Sequence, residues 1–249
     1  MVTNDQRRRQ LAREKYERQQ KRRAEARRKA RRRAAVIGAA AAVVIATLVG
    51  LVVGGVFDKE EKSRESGPPK MAIDKTAKYT LALKANAGDI KGDIKVEMDA
   101  AKTPETVNSF KSLADKRFFD KTTCHRLTTD GIFVLQCGDP EGTGQGGPGY
   151  TIADENLESL GKPDESGKVV YPAGTVAMAN TGQPHSGGSQ FFLVYKDTSL
   201  PPSYTPFGKI DAAGLKTLEE IAKVGTADGA PDGAPKNAVT IEKGTVTKN

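Results

Sequence analysis

The sequence predicts an all-β domain with two helices, its strands closed into a barrel, and three observations predict it. First, Tyr79, Leu81 and Leu83 alternate with Thr80, Ala82 and Lys84, and Ile94, Val96 and Met98 alternate with Lys95, Glu97 and Asp99. A period of two marks half-buried strands of an antiparallel sheet. Second, short apolar runs follow at 122–127, 132–137, 174–179, 190–195 and 207–210, divided by turn residues, with 238–241 available as a last strand. Such spacing belongs to a barrel or sandwich. Third, two stretches have helical spacing: Val107, Phe110 and Leu113 behind Thr103 as N-cap and Pro104 at the first helical position, and Leu215, Leu218 and Ile221 before a stop near Gly225. The two helices are expected to cover the barrel ends.

Charge divides the chain ahead of that domain. Of the 249 residues, the first 33 carry 15 Lys or Arg against 4 Asp or Glu, whereas the whole chain has a net charge of +8. The basic character therefore belongs to the N-terminal segment, and the remainder is slightly acidic. Residues 7–33 mix Arg, Lys, Glu, Gln and Ala without an apolar stripe, so a helix there would be solvated and could rest on anionic lipid. Tyr16 is the one aromatic residue in this stretch, short of the interleaving a nucleic-acid-binding surface would need, and no nucleic-acid partner is expected. Residues 34–57 contain no charge. As a helix at ~1.5 Å per residue they would span roughly 36 Å, enough for a ~30 Å hydrocarbon core.

This apolar run is too long, and its basic flank too extended, for a cleaved signal peptide. The positive-inside rule then gives a single-pass anchor in the cell membrane with a cytoplasmic N-terminus and the domain outside the cytoplasm. Residues 58–77 are charged, lack periodicity and include Gly67-Pro68-Pro69, as expected of a linker, so the domain is read as 78–249.

Cys124 and Cys137 are too few for a disulfide scaffold. If their strands pair near Arg126 and Gln136, Cys124 shares the face of Arg126 while Cys137 points away from that of Gln136. Strand alternation thus disfavours a bridge unless a bulge intervenes. Gly142-Thr-Gly144-Gln-Gly146-Gly147 satisfies GxGxxG, but Pro148-Gly149 follows where a nucleotide-binding helix must open, so a loop beside a site is expected. Adjacent Cys124 and His125 would point to opposite faces, and no metal is expected. Ser186 and Ser189 near His185 lack a nucleophile elbow, and Asp154 and Glu155 lack the aromatic surroundings of a glycosidase pair.

Five segments stand in order: His125-Arg126-Leu127; Phe133-Val134-Leu135-Gln136-Cys137-Gly138-Asp139; Met178-Ala179-Asn180; Gly188-Ser189-Gln190-Phe191-Phe192; and Phe207-Gly208-Lys209. In them the chain resembles the cyclophilin family of peptidyl-prolyl cis-trans isomerases. The resemblance implies a closed eight-stranded antiparallel barrel with a substrate groove on its outer face, and it implies roles. Arg126 stands at the catalytic arginine and Gln136 at the residue orienting it. Phe133, Val134, Phe192 and Leu200 stand at the proline pocket. Ala179 and Asn180 stand at the strand that binds substrate backbone, with Gln190 and Tyr204 along the groove.

Departures from the family pattern are Cys124 before the His-Arg pair, a longer turn at residues 128–131, Ser199 in place of the rim tryptophan, and Tyr204 where many members have His. The implied activity is rotation about X-Pro bonds of polypeptide substrates outside the cytoplasm, without cofactor. A proline-peptide binding or holdase module with little turnover is the alternative.

Overall fold

A computed structural model describes residues 67–249. The basic segment 1–33, the apolar stretch 34–57 and residues 58–66 of the linker lie outside the described residues. No helix among the described residues is long and apolar enough to cross a membrane.

Among the described residues, twelve strands and two α-helices form in the order β1 (Tyr79–Ala87), β2 (Ile90–Met98), α1 (Pro104–Asp115), β3 (Thr122–Cys124), β4 (Arg126–Thr128), β5 (Val134–Cys137), β6 (Val169–Tyr171), β7 (Thr175–Met178), β8 (Phe191–Val194), β9 (Thr198–Leu200), β10 (Pro206–Ile210), α2 (Ala212–Val224), β11 (Asp232–Gly233) and β12 (Val239–Lys248). A short 3-10 turn covers Leu157–Leu160. The long runs read from period-two alternation are β1 and β2, which pair along their full length from Tyr79↔Met98 to Ala87↔Ile90.

The expected closed eight-stranded barrel is not what forms. Ten strands make one sheet in the order β11-β4-β5-β8-β7-β10-β2-β1-β12-β3, and β6 and β9 pair separately. All pairings are antiparallel, but the ladder does not return on itself, so the architecture is an open half-barrel. The reason lies at His125. β3 and β4 follow each other with only this residue between them, yet β3 pairs with β12 while β4 pairs with β5 and β11. Three-residue strands whose partners lie on different neighbours cannot complete a continuous ladder.

A covalent bond crosses the seam instead: Cys124 of β3 is joined to Cys137 of β5. Alternation disfavoured this bridge because it assumed that one strand carries both Cys124 and Arg126. The strand is interrupted at His125, so facing is not counted through it. Cys124 sits opposite Val239 of β12, and both cysteines are buried.

The concave side of the sheet holds the main core. Leu81, Leu83, Val96, Leu127, Leu135, Val176 and Leu193 pack with Val107, Phe110 and Leu113 of α1 and Leu218 and Ile221 of α2. Phe110 is central, its ring 5.2 Å from Phe119, 4.7 Å from Phe207 and 5.5 Å from Phe191. The first turn of α1 is not capped by the Thr103 side chain, whose hydroxyl donates to Asp99 O. Glu155 caps it from across the chain: its carboxylate accepts from Glu105 N at 3.0 Å, Thr106 N at 2.9 Å and the Thr106 hydroxyl at 2.8 Å. An anion at a helix N-terminus satisfies otherwise unpaired donors and the dipole together. α2 has a local cap, Asp211 accepting from Gly214 N, and ends at Gly225 with φ of 81°. Residues 69–74, ahead of β1, lie against α1, where the buried Asn108 carboxamide donates to Pro69 O and Lys70 O and accepts from Ala72 N.

Candidate active site

Pairing register places the site. Arg126 faces Gln136, Gln136 faces Phe192, and Phe192 faces Ala177, so four strands contribute one transverse row. Directly opposed residues share a face of a sheet. The adjacent row, Leu127, Leu135, Leu193 and Val176, enters the main core. The Arg126 row therefore lies on the convex side.

That side carries a second, smaller core. Val134, Ala177, Phe192 and Val194 pack there with Val169 and Tyr171 of β6, and Leu200, Tyr204 and Ala179 border them. This explains why β8 is apolar at all four positions: Phe191 and Leu193 enter one core, Phe192 and Val194 the other. The Phe192 ring meets Tyr204 edge-on at 5.5 Å and Tyr171 at 6.2 Å. Beneath them the Tyr171 hydroxyl donates to Tyr204 O at 3.0 Å and accepts from Tyr204 N at 3.3 Å, fixing the loop that presents Tyr204. Burial pushes the Tyr171 hydroxyl up to about 12, so it stays a donor.

Polar groups run along the row from its open end. Arg126 donates from Nε and Nη2 to the two carboxylate oxygens of Asp232, both at 2.7 Å, and from Nη1 to Gln136 Oε1 at 3.4 Å. Gln136 Nε2 donates to Gln190 Oε1 at 2.9 Å, and Gln190 Nε2 donates to Gly146 O at 2.9 Å. The hydrogen bonds to Asp232 raise the guanidinium pKa against the opposing effect of burial, and the same bonds lower that of the Asp232 carboxyl. The Arg126 side chain retains 39% exposure, so part of its fork remains open to a ligand.

Gln136 and Gln190 also line an open cleft of about 830 Å³ with Gly146, Ala179, Asn180 and Gly188. The Asn180 carboxamide is engaged, donating to Ser203 O and accepting from Gly182 N. The glycine-rich stretch 142–147 is the loop the sequence predicted, and Asp139 organises it. Its fully buried carboxylate accepts from Glu141 N, Thr143 N, Gly144 N and Gly146 N and from the Thr143 hydroxyl. Burial acts to raise this carboxyl, but the hydrogen bonds outweigh it and hold it at about 2. Gly146 has no substitute here, because a Cβ would collide with Asp139 Oδ1.

The structure thus brings Arg126, Gln136, Val134, Phe192, Gln190, Ala179, Asn180, Leu200 and Tyr204 to one side of the sheet. Phe133 stands apart: its ring packs against Tyr195 at 5.9 Å, with Lys196 Nζ 4.4 Å above it. Ser199 is exposed on β9 opposite Val170. The residues near His185 make no nucleophile. Ser189 donates to Gly138 O, Ser186 donates to Gln183 O, and His185 Nδ1 accepts from Asp154 N. Sequence reasoning missed Asp232 and Tyr171. Asp232 sits in the tandem Asp228-Gly-Ala-Pro, Asp232-Gly-Ala-Pro, and Tyr171 closes the apolar Val169-Val170-Tyr171 after a charged stretch. Neither segment is read as an element from the sequence; the repeated Asp-Gly-Ala-Pro turn and the short apolar run are the signals that mark them.

Comparison with known proteins agrees with this geometry. The profile of the family described as "Cyclophilin type peptidyl-prolyl cis-trans isomerase/CLD" matches residues 81–246. Over 154 residues the chain is 53% identical to a probable peptidyl-prolyl cis-trans isomerase B of Mycobacterium tuberculosis, covering 60% of this chain and 50% of that protein. It is 39% identical to the human peptidyl-prolyl cis-trans isomerase-like 3 over 137 residues, covering 53% of this chain and 78% of that one. The chain spans about half the length of the mycobacterial relative it matches. Among solved structures, a Cryptosporidium parvum cyclophilin type peptidyl-prolyl cis-trans isomerase superposes with a TM-score of 0.55 at 26% identity, over 69% of this chain and 99% of that one. With an arginine, a glutamine pair and a phenylalanine pocket on the convex face of an antiparallel half-barrel, the chain belongs to the cyclophilin type peptidyl-prolyl cis-trans isomerase family.

Proposed function

We propose that residues 78–249 accelerate cis-trans rotation about X-Pro bonds in polypeptides, with Arg126 as the catalytic donor. The observation that carries this reading is the single row in which Arg126 and Gln136 adjoin Phe192. An X-Pro amide resists rotation because resonance stiffens its C–N bond, with a barrier of roughly 18–20 kcal/mol. At the twisted midpoint resonance is lost, and the prolyl nitrogen becomes a hydrogen-bond acceptor. A donor that meets it there stabilises the twist more than either planar state, which is the condition for catalysis.

Arg126 suits the task because its guanidinium stays protonated and offers a rigid fork of donors. Val134, Phe192, Leu200 and Tyr204 would receive the pyrrolidine ring. The cleft beside Gln190, Ala179 and Asn180 would take flanking residues of the substrate, with the backbone of Asn180 as a contact. The Cryptosporidium protein has also been crystallised in the presence of an Ala-Pro dipeptide. The same substrate class fits this pocket, which is apolar on one side and donor-lined on the other.

Placement outside the cytoplasm, behind a single-pass anchor at residues 34–57, is part of the same proposal. The charge-free stretch, its basic N-terminal flank and a Cys124–Cys137 bridge suited to an oxidising compartment support it. Residues 7–33 would then lie along anionic lipid on the cytoplasmic side. Proteolysis of intact cells checks this: a domain cleaved only after lysis refutes the external placement.

For the activity, Arg126→Ala is expected to lower turnover of an Ala-Pro peptide at least about ten-fold, a barrier change of about 1.4 kcal/mol, with the fold retained. Undiminished turnover in the folded variant refutes Arg126 as the catalytic donor, and a folded parent without turnover leaves a proline-peptide binding module.

A further inference from the structure

The isomerase reading needs Arg126 held in one orientation, and Gln136, to which the resemblance gives that work, holds it by only one long bond. The Arg126–Gln136 bond is 3.4 Å long, at the outer limit of a useful hydrogen bond. The Gln136 carboxamide is fixed instead by its shorter bond to Gln190. Arginine has four rotatable side-chain bonds and loses considerable rotamer freedom when immobilised. A single long bond to Gln136 does not supply the restraint.

Asp232 does. Its two oxygens grip Nε and Nη2 at 2.7 Å each, the fork-to-fork geometry that fixes both position and plane. Because Nε and one edge of the guanidinium are taken by the carboxylate, the fork's other edge is directed along the row toward Gln136 and Phe192. Asp232 is itself held by backbone. It pairs with Thr128 across β4–β11, so it is the diagonal neighbour of Arg126 on the same face. The loop bearing it is tied by Thr129 N donating to Pro231 O, Ala227 N donating to Ala234 O, and the Thr226 hydroxyl donating to Ala230 O.

We infer that Asp232 is the positioning residue for the catalytic arginine, presenting the free edge of the Arg126 guanidinium to a substrate proline. The inference rests on the isomerase reading above. Asp232 touches no reacting atom; it acts through Arg126 by restricting the fork to one plane before substrate arrives.

The test compares Asp232→Ala, Asp232→Asn and Arg126→Ala, alone and combined, in the full chain. Asp232→Ala is expected to lower kcat about five-fold or more while KM changes less than about two-fold, because orientation acts on the transition state rather than on capture. Asp232→Asn keeps one oxygen for Nε and recovers part of the loss. In the Arg126→Ala background, Asp232→Ala has no further effect, whereas a residue that merely supports the loop would lower activity again. The Arg126 Nε–H resonance should be slow to exchange with solvent in the parent and fast in Asp232→Ala, a readout independent of turnover. Unchanged or increased kcat in Asp232→Ala, or an Nε–H that exchanges equally in both, overturns the inference. If Arg126→Ala itself keeps full activity, the assignment of Arg126 as catalytic donor falls first, and with it any role for Asp232 through it.

Discussion

Reducing the bridge between Cys124 and Cys137 removes the one covalent link across the open seam without changing the volume of either buried side chain. The two cysteines are 13 apart in sequence. In the chain-entropy description, a cross-link closing a loop of that size lowers the freedom of the unfolded chain by about 3 kcal/mol. For a domain of this size each kcal/mol moves the midpoint by roughly 2–4 °C, so reduction is expected to lower Tm by about 6–12 °C. Thermal unfolding followed by circular dichroism, with and without a thiol reductant at one pH, measures it. Hydrogen exchange locates it: amides of β3, β4 and β5 should lose protection, while those of β1 and β2, paired over nine residues each, should not. A midpoint that moves by less than about 2 °C would mean that noncovalent contacts alone hold the seam, contrary to the reasoning from a broken ladder.

Two further outcomes follow from the site. The Asp139 carboxyl, held at about 2 against an ordinary 3.8, contributes about 2 kcal/mol of stability that is fully present above pH 4 and lost as pH falls through the folded value. Urea midpoints between pH 5 and pH 2 should therefore fall more steeply in the parent than in Asp139→Asn, and parallel profiles would exclude this role. Phe192→Ala, which empties the convex core beside Tyr171 and Tyr204, should cost about 3–5 kcal/mol and weaken capture of a proline peptide. Phe133→Ala should weaken capture less, because its ring rests on Tyr195; titration calorimetry with an Ala-Pro peptide ranks the two, and the reverse order would return Phe133 to the pocket floor.

What was legible in the sequence depended on how local its cause was. The β1–β2 pairing and both helices follow from periodicities of two and 3.6 carried over many residues. The helix ends separate the two cases: Asp211 caps α2 from the adjoining position, whereas α1 takes its cap from Glu155, about fifty residues away. The same distance effect hid Asp232, which lies 106 residues from its partner Arg126. β6, β9 and β11 are only three, three and two residues long, too short to display a period. The ordered motifs brought out Arg126, Gln136 and Phe192 because each occupies a strand whose register is set by its own apolar neighbours.

A closed barrel filled from within rests on the premise that every apolar run serves one interior. In β5, β7 and β8 that premise fails, since alternate residues enter different cores on the two sides of the same strands. The convex core is small and ends abruptly: past Phe192 the row passes from apolar side chains to Gln136 and then Arg126. At that boundary a donor stands beside an apolar wall in a partly dry setting, where a hydrogen bond to a weak acceptor counts for more than it would in water. An interior filling a closed barrel would have no such margin. The feature that defeats the simple strand reading, apolar residues on both faces, is therefore the one that gives the arginine an environment in which to act.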